Sequence, residues 1–219
     1  MMMLPNPHLA QEPTLQGAPP EAAGLTVYAV HGRGQSPTFM AELADRIGLS
    51  NVAYLFPAAN NSSWYPAGFM EPFDQNQPNL DHALEAVGHH LERLAGQGIA
   101  KEKVVLLGFS QGACLLSEFL LRNQHRYAAV VLHTGGYLGP EEHGWPENGG
   151  LDGVPVLMAS SAKDTWVPLP RIEATATALT QAGAAVELHT YDDTEHHINE
   201  DSVARIRKLL ASLLTSKES

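Results

Sequence analysis

A three-layer α/β fold around a mainly parallel sheet is what this sequence predicts, and three features carry the prediction. Apolar runs without polar alternation recur at 25–30, 52–56, 104–107, 127–133 and 154–159. Such runs suit strands covered on both faces, as in a parallel sheet with helices on either side. Segments with helical spacing alternate with them, which implies right-handed strand–helix–strand units. The third feature is a junction: Val104-Val105-Leu106-Leu107 leads into Gly108-Phe109-Ser110-Gln111-Gly112, after which Leu115, Leu116, Phe119 and Leu120 repeat at helical spacing.

Taken in order, 1–24 holds five prolines and neither a basic stretch followed by an apolar one nor a run long enough to span a membrane. It is expected to be a proline-rich, poorly ordered arm, with 25–219 as a single domain. Strand 25–30 is followed at once by His31-Gly32-Arg33-Gly34. Phe39, Met40, Leu43, Ala44 and Ile47 then mark a helix ending near Gly48, and strand 52–56 is closed by Pro57. The connection 58–78 is too long and too aromatic for a plain linker; its aromatics, Trp64, Tyr65 and Phe69 among them, are expected either to form one wall of an acyl pocket or to tuck onto the core.

A long amphipathic helix is predicted over 79–97, from Leu80, Leu84, Val87, Leu91 and Leu94. His82, His89 and His90 ride on it without metal-binding spacing. Strand 127–133 is separated from strand 154–159 by only about twenty residues. That is too few for a helical cap, so an open groove is expected. A helix with Leu169, Ile172, Ala176 and Leu179, a last strand at 186–191 and a closing helix from Val203 to Leu214 complete the chain.

Length and composition bound the function. At 219 residues and 44% hydrophobic content the chain suits one large core. With 24 acidic against 13 basic residues the formal charge is −11, which disfavours nucleic acid and anionic membrane as partners. The lone Cys114 excludes an intramolecular disulfide framework and fits a reducing cytoplasm.

The chemistry centres on Ser110. A serine between glycines on a sharp strand-to-helix turn presents its Oγ at the carboxyl end of the sheet, where it is placed to act as a nucleophile. The helix that follows aims its first N–H groups at the same point. With the loop after the first strand, this makes the backbone N–H groups of Arg33 and Gln111 the candidate oxyanion donors, so that the backbone of Arg33 is expected to matter more than its side chain. His31, at a strand end, reads as a packing and hydrogen-bonding residue. Asp164 follows strand 154–159 in the loop that supplies the acid in this fold class, whereas Asp152 precedes the strand. After the last strand come Glu195, His196 and His197, and either histidine completes the order Ser, Asp, His. No zinc-type spacing is present, and neither metal nor cofactor is expected.

With these residues in view, the chain resembles the phospholipase/carboxylesterase family of α/β-hydrolases, whose relatives include acyl-protein thioesterases. The resemblance rests on His31-Gly32-x-Gly34, Gly108-x-Ser110-x-Gly112, Asp164-x-x-Val167-Pro168 and His196-x-Ile198. It implies a lidless α/β-hydrolase with Ser110, Asp164 and His196 as triad and the N–H groups of Arg33 and Gln111 as oxyanion hole. Glu195 stands where the family usually has glycine. The expected activity is hydrolysis of small, short-chain carboxylic esters, with Trp64, Tyr65, Phe69 and Trp166 binding substrate. Long-chain thioester or lysophospholipid hydrolysis is the alternative, and a non-catalytic binding protein of the same fold would require a broken triad. A monomer or homodimer without nucleic-acid or membrane partner is expected.

Overall fold

The computed structural model describes residues 5–141, 144–146 and 149–215. Seven strands form one sheet: β1 (Thr14–Gly17), β2 (Leu25–Val30), β3 (Val52–Phe56), β4 (Val104–Phe109), β5 (Ala129–His133), β6 (Pro155–Ser161) and β7 (Ala185–Tyr191). Their spatial order is β1-β3-β2-β4-β5-β6-β7, and all pairings except β1 with β3 are parallel. The helices that cover it are α1 (Pro37–Ile47), the short α2 (Phe73–Asn76), α3 (Asn79–Gly96), α4 (Gln111–Arg122), α5 (Leu169–Gln181) and α6 (Glu200–Thr215).

The unbroken apolar strands are explained by two separate cores. On one face Tyr28, Val30 and Leu106 meet Leu80, Val87 and Leu91 of α3, the buried side of α4, and Ile172 and Leu179 of α5. On the other, Val27, Ala29, Val105 and Leu107 meet Met40, Leu43 and Ile47 of α1 and Val203, Ile206 and Leu210 of α6. Successive residues of a strand point to opposite faces, so a strand between two helical layers needs apolar side chains at every position. Strand β7 at the edge is buried on one side only, and its Ala185-Val186-Glu187-Leu188 alternates accordingly.

Residues 5–24 correct the expectation of a poorly ordered arm. Asn6 caps a 3-10 turn at Pro7–Leu9 and donates to the His82 carbonyl at 2.7 Å, while His8 is buried. Strand β1 adds antiparallel to β3, with Thr14 opposite Phe56 and Gly17 opposite Ala53. The prolines misled because they fall outside the four-residue strand. An edge strand pairs on one side only, and proline is tolerated beside it.

Between β5 (ending at His133) and β6 (starting at Pro155) the described residues contain no helix. The helix after Ser110 begins at Gln111, directly after the serine.

Candidate active site

Ser110 sits between β4 and α4 with φ 52° and ψ −120°, a left-handed conformation for a residue with a side chain. Such a conformation costs about 1–3 kcal/mol and persists only where the surroundings over-determine it. They do so here. The Ser110 N–H donates to the His133 carbonyl at 3.0 Å, and its own carbonyl accepts from the Cys114 N–H at 2.9 Å. A Cβ on Gly112 would lie 2.2 Å from the Val30 carbonyl oxygen and 2.6 Å from that of His31, so only glycine lets α4 approach the end of β2 this closely.

His133 is locked in turn, with Nδ1 2.9 Å from Thr134 Oγ1 and Nε2 2.9 Å from Ser202 Oγ. Burial first, then the neighbouring His196 and His197, push its pKa down to about 3, so it remains a neutral hydrogen-bonding group.

The loop after β6 brings Asp164 to the site, and the loop after β7 brings His196. His196 Nδ1 lies 2.7 Å from Asp164 Oδ2, and its Nε2 lies 2.8 Å from Ser110 Oγ. The Asp164 carboxylate is wholly buried, and its Oδ1 accepts the N–H groups of Trp166 (2.7 Å) and Val167 (2.9 Å). These bonds explain the spacing Asp164-x-x-Val167: the loop folds back and satisfies one carboxylate oxygen, leaving the other for the imidazole. The His196 ring lies between Phe109 and Trp166, with centroids 5.3 and 6.4 Å away. His197 is exposed. Glu195 precedes His196. Its side chain is exposed, its carbonyl accepts from Ser161 Oγ, and its N–H donates to Asp193 Oδ1 at 3.0 Å.

Neither the Arg33 N–H nor the Gln111 N–H is bonded to any of the described residues. Both belong to segments flanking Ser110, where an oxyanion would form. The side chains of the same two residues were not legible in the motifs. Gln111 Oε1 accepts from the Trp64 N–H at 2.9 Å, and its Nε2 donates to the Tyr65 carbonyl at 2.8 Å. The Arg33 guanidinium donates to the Pro66 carbonyl at 2.6 Å and to that of Ala67. The Arg33 side chain thus fastens the loop at Pro66 and Ala67. Buried Asn76 finishes the loop, accepting from the Ala67 N–H at 2.8 Å and donating to the Gly68 carbonyl at 3.0 Å.

A cleft of about 620 Å³ opens over Ser110 and His196, and Arg33, Tyr65, Phe69 and Trp166 line it. Trp166 is 75% exposed and stands at the rim. Trp64 corrects the expectation of a pocket wall: it is completely buried, away from the cleft, and donates through Nε1 to the His31 carbonyl at 2.9 Å. The rings of His8 and His31 lie 5.3 and 5.2 Å from it. His31 accepts from the Ala59 N–H at 3.1 Å, which makes it a packing and hydrogen-bonding residue. Cys114 lines the cleft floor, but burial pushes its thiol up to about 11, far from the reactive range.

Among the described residues, no group of three or more His, Cys, Asp or Glu side chains is arranged to hold a metal ion, and no helix is long and apolar enough to cross a membrane.

Comparison with known proteins agrees with this architecture. The sequence profile of the phospholipase/carboxylesterase family matches residues 17–214. Acyl-protein thioesterase 1 of Eremothecium gossypii is 27% identical over 202 residues, covering 81% of this chain and 84% of that protein. The crystal structure of a phospholipase/carboxylesterase from Dyadobacter fermentans is 34% identical, with a TM-score of 0.82 over 92% of this chain and 97% of the other. A carboxylesterase structure from Mesorhizobium loti, 22% identical, shares the fold with a TM-score of 0.71 over 91% and 93% of the two chains. Seven-stranded sheet, serine elbow and profile lead to one assignment: the chain belongs to the phospholipase/carboxylesterase family of α/β-hydrolases and is a carboxylic ester hydrolase.

Proposed function

We propose that Ser110, His196 and Asp164 form the catalytic triad of a serine carboxylesterase acting on small, short-chain esters. The observation that carries this reading is the His196 ring, whose two nitrogens lie 2.8 Å from Ser110 Oγ and 2.7 Å from Asp164 Oδ2. Asp164 holds Nδ1 protonated and leaves the Nε2 lone pair facing the hydroxyl. Oγ attacks the acyl carbon as Nε2 takes its proton, and the Arg33 and Gln111 N–H groups stabilise the oxyanion. The imidazolium returns the proton to the leaving alcohol, and water repeats the cycle on the acyl-enzyme. Each oxyanion donor is worth roughly 3 kcal/mol of transition-state stabilisation.

The short-chain preference is supported by Tyr65 and Phe69, which stand in the cleft on a loop fastened at several points. A second reading, removal of long acyl groups from proteins or lysophospholipids, is favoured by the Eremothecium relative and by the lack of a helix between β5 and β6 among the described residues. The buried lone cysteine suits work in the cytoplasm.

Hydrolysis of p-nitrophenyl acetate, butyrate, octanoate and palmitate by wild type and Ser110→Ala tests both readings. A maximum at two to four carbons with the mutant at background supports the short-chain esterase, and a maximum at octanoate or beyond supports the second reading. Undiminished activity in Ser110→Ala overturns the triad.

A further inference from the structure

Arg33 gives the cleft a feature that plain ester hydrolysis does not use. Among the described residues it is the only Lys or Arg lining the cavity, and no Asp or Glu lines the wall. Its guanidinium is bonded to two uncharged acceptors, the Pro66 and Ala67 carbonyls, and it takes part in no ion pair among the described residues. A guanidinium has five N–H donors, so two carbonyls leave donors unused.

The charge lines the same cleft as Ser110 and His196. A Cβ at the neighbouring Gly32 would lie 3.1 Å from the Ser110 Cβ, and the guanidinium carbon is 5.8 Å from the centre of the Tyr65 ring in the cleft. It is an exposed cation in a chain of net charge −11, a local reversal of sign at the mouth of a partly apolar cleft, where low-dielectric walls focus its field. The loop carbonyls hold the guanidinium in position beforehand, so little ordering cost remains when it meets a ligand.

We infer that the cleft takes esters carrying a second, anionic group, which Arg33 receives while the ester carbonyl lies against Ser110. This rests on the proposed hydrolase reading of the same site and narrows its substrate class. An arginine fork matches the planar geometry of a carboxylate. The anion belongs either to the acyl part or to the alcohol part of the ester, and the test distinguishes them.

The experiment compares kcat/KM for monomethyl adipate with methyl hexanoate, and for 4-acetoxybenzoate with 4-acetoxybenzamide, each divided by the ester's own hydroxide-catalysed rate. Wild type and Arg33→Gln are measured at low ionic strength and in about 0.5 M salt. Wild type is expected to favour the anionic member of at least one pair by about tenfold or more, and that pair identifies the side that carries the charge. Added salt shrinks the preference, since exposed charges are screened. Arg33→Gln, which keeps an amide donor for the loop carbonyls, brings the ratio close to one. A loss from a displaced loop affects both esters of a pair and cancels in the ratio. No anionic preference in wild type, or the same preference in Arg33→Gln, overturns the inference. If the neutral esters are hydrolysed in a Ser110-dependent way without charge preference, only this inference fails. If Ser110→Ala hydrolyses them as fast as wild type, the hydrolase reading of the site fails with it.

Discussion

Arg33 and Gln111 grip the same loop from two sides. The Gln111 side chain takes the Trp64 N–H and the Tyr65 carbonyl, and the Arg33 guanidinium takes the carbonyls of Pro66 and Ala67. Four consecutive residues, 64–67, of which Tyr65, Pro66 and Ala67 line the cleft, are thereby fastened by the two residues proposed as oxyanion donors. The cleft wall and the proposed oxyanion donors are thus directly joined.

Gln111→Ala tests that coupling. It leaves the backbone N–H in place but removes the partners of two buried backbone groups, and an unsatisfied buried donor or acceptor costs about 1–3 kcal/mol. The thermal midpoint is expected to fall by several degrees, and KM to rise more than kcat falls, because the loop loosens while the donor stays. An unchanged midpoint in calorimetry would show that the clamp carries no load.

Asp164→Asn separates orientation from folding. The amide oxygen can still accept the Trp166 and Val167 N–H groups, but its NH2 faces His196 Nδ1 and favours the wrong tautomer. A loss of roughly 10⁴-fold in kcat with near-native circular dichroism is expected. A loss of less than tenfold would remove Asp164 from the mechanism.

The two tryptophans near the site should respond in opposite ways. Trp64 is fully buried between His8 and His31, and Trp64→Ala should cost about 3–5 kcal/mol in denaturant unfolding. Trp166 is 75% exposed at the rim, so Trp166→Ala should change stability by no more than about 0.5 kcal/mol. Its effect is expected in KM for the longer acyl esters. Equal destabilisation by both changes would contradict these placements.

Stability should fall as the solution is acidified below about pH 6.5. Burial pushes His8 and His90 down to about 4 and His133 to about 3, against an ordinary value near 6.5. Between those limits the unfolded chain binds protons that the folded one refuses, which favours unfolding. Above pH 6.5 all three are neutral in both states and contribute no slope. Urea midpoints at pH 5.0 should lie below those at pH 7.5, and equal midpoints would show that these histidines protonate without unfolding.

By itself the sequence determined the layers and the order of the chemistry. Unbroken apolar strands suit burial between two helical layers, and helices of 3.6-residue period announce which face they bury, so the sheet of 25–191 was legible strand by strand, with ends off by one or two residues. Gly108-x-Ser110-x-Gly112 was legible because a strained turn and a close helix approach demand those residue types at that spacing. The tertiary structure decided what had no local period. Residue order left His196 and His197 equal until the 192–198 loop, held through Glu195 by Ser161 and Asp193, turned His196 toward Ser110, 86 positions away in sequence. In the irregular 58–78 loop nothing local distinguishes Trp64 from Phe69; only the bonds from Gln111 and His31 bury the first and leave the second on the cleft. Strand β1 likewise exists only because the edge of β3 is there to pair with it, a contact that proline-rich composition does not record.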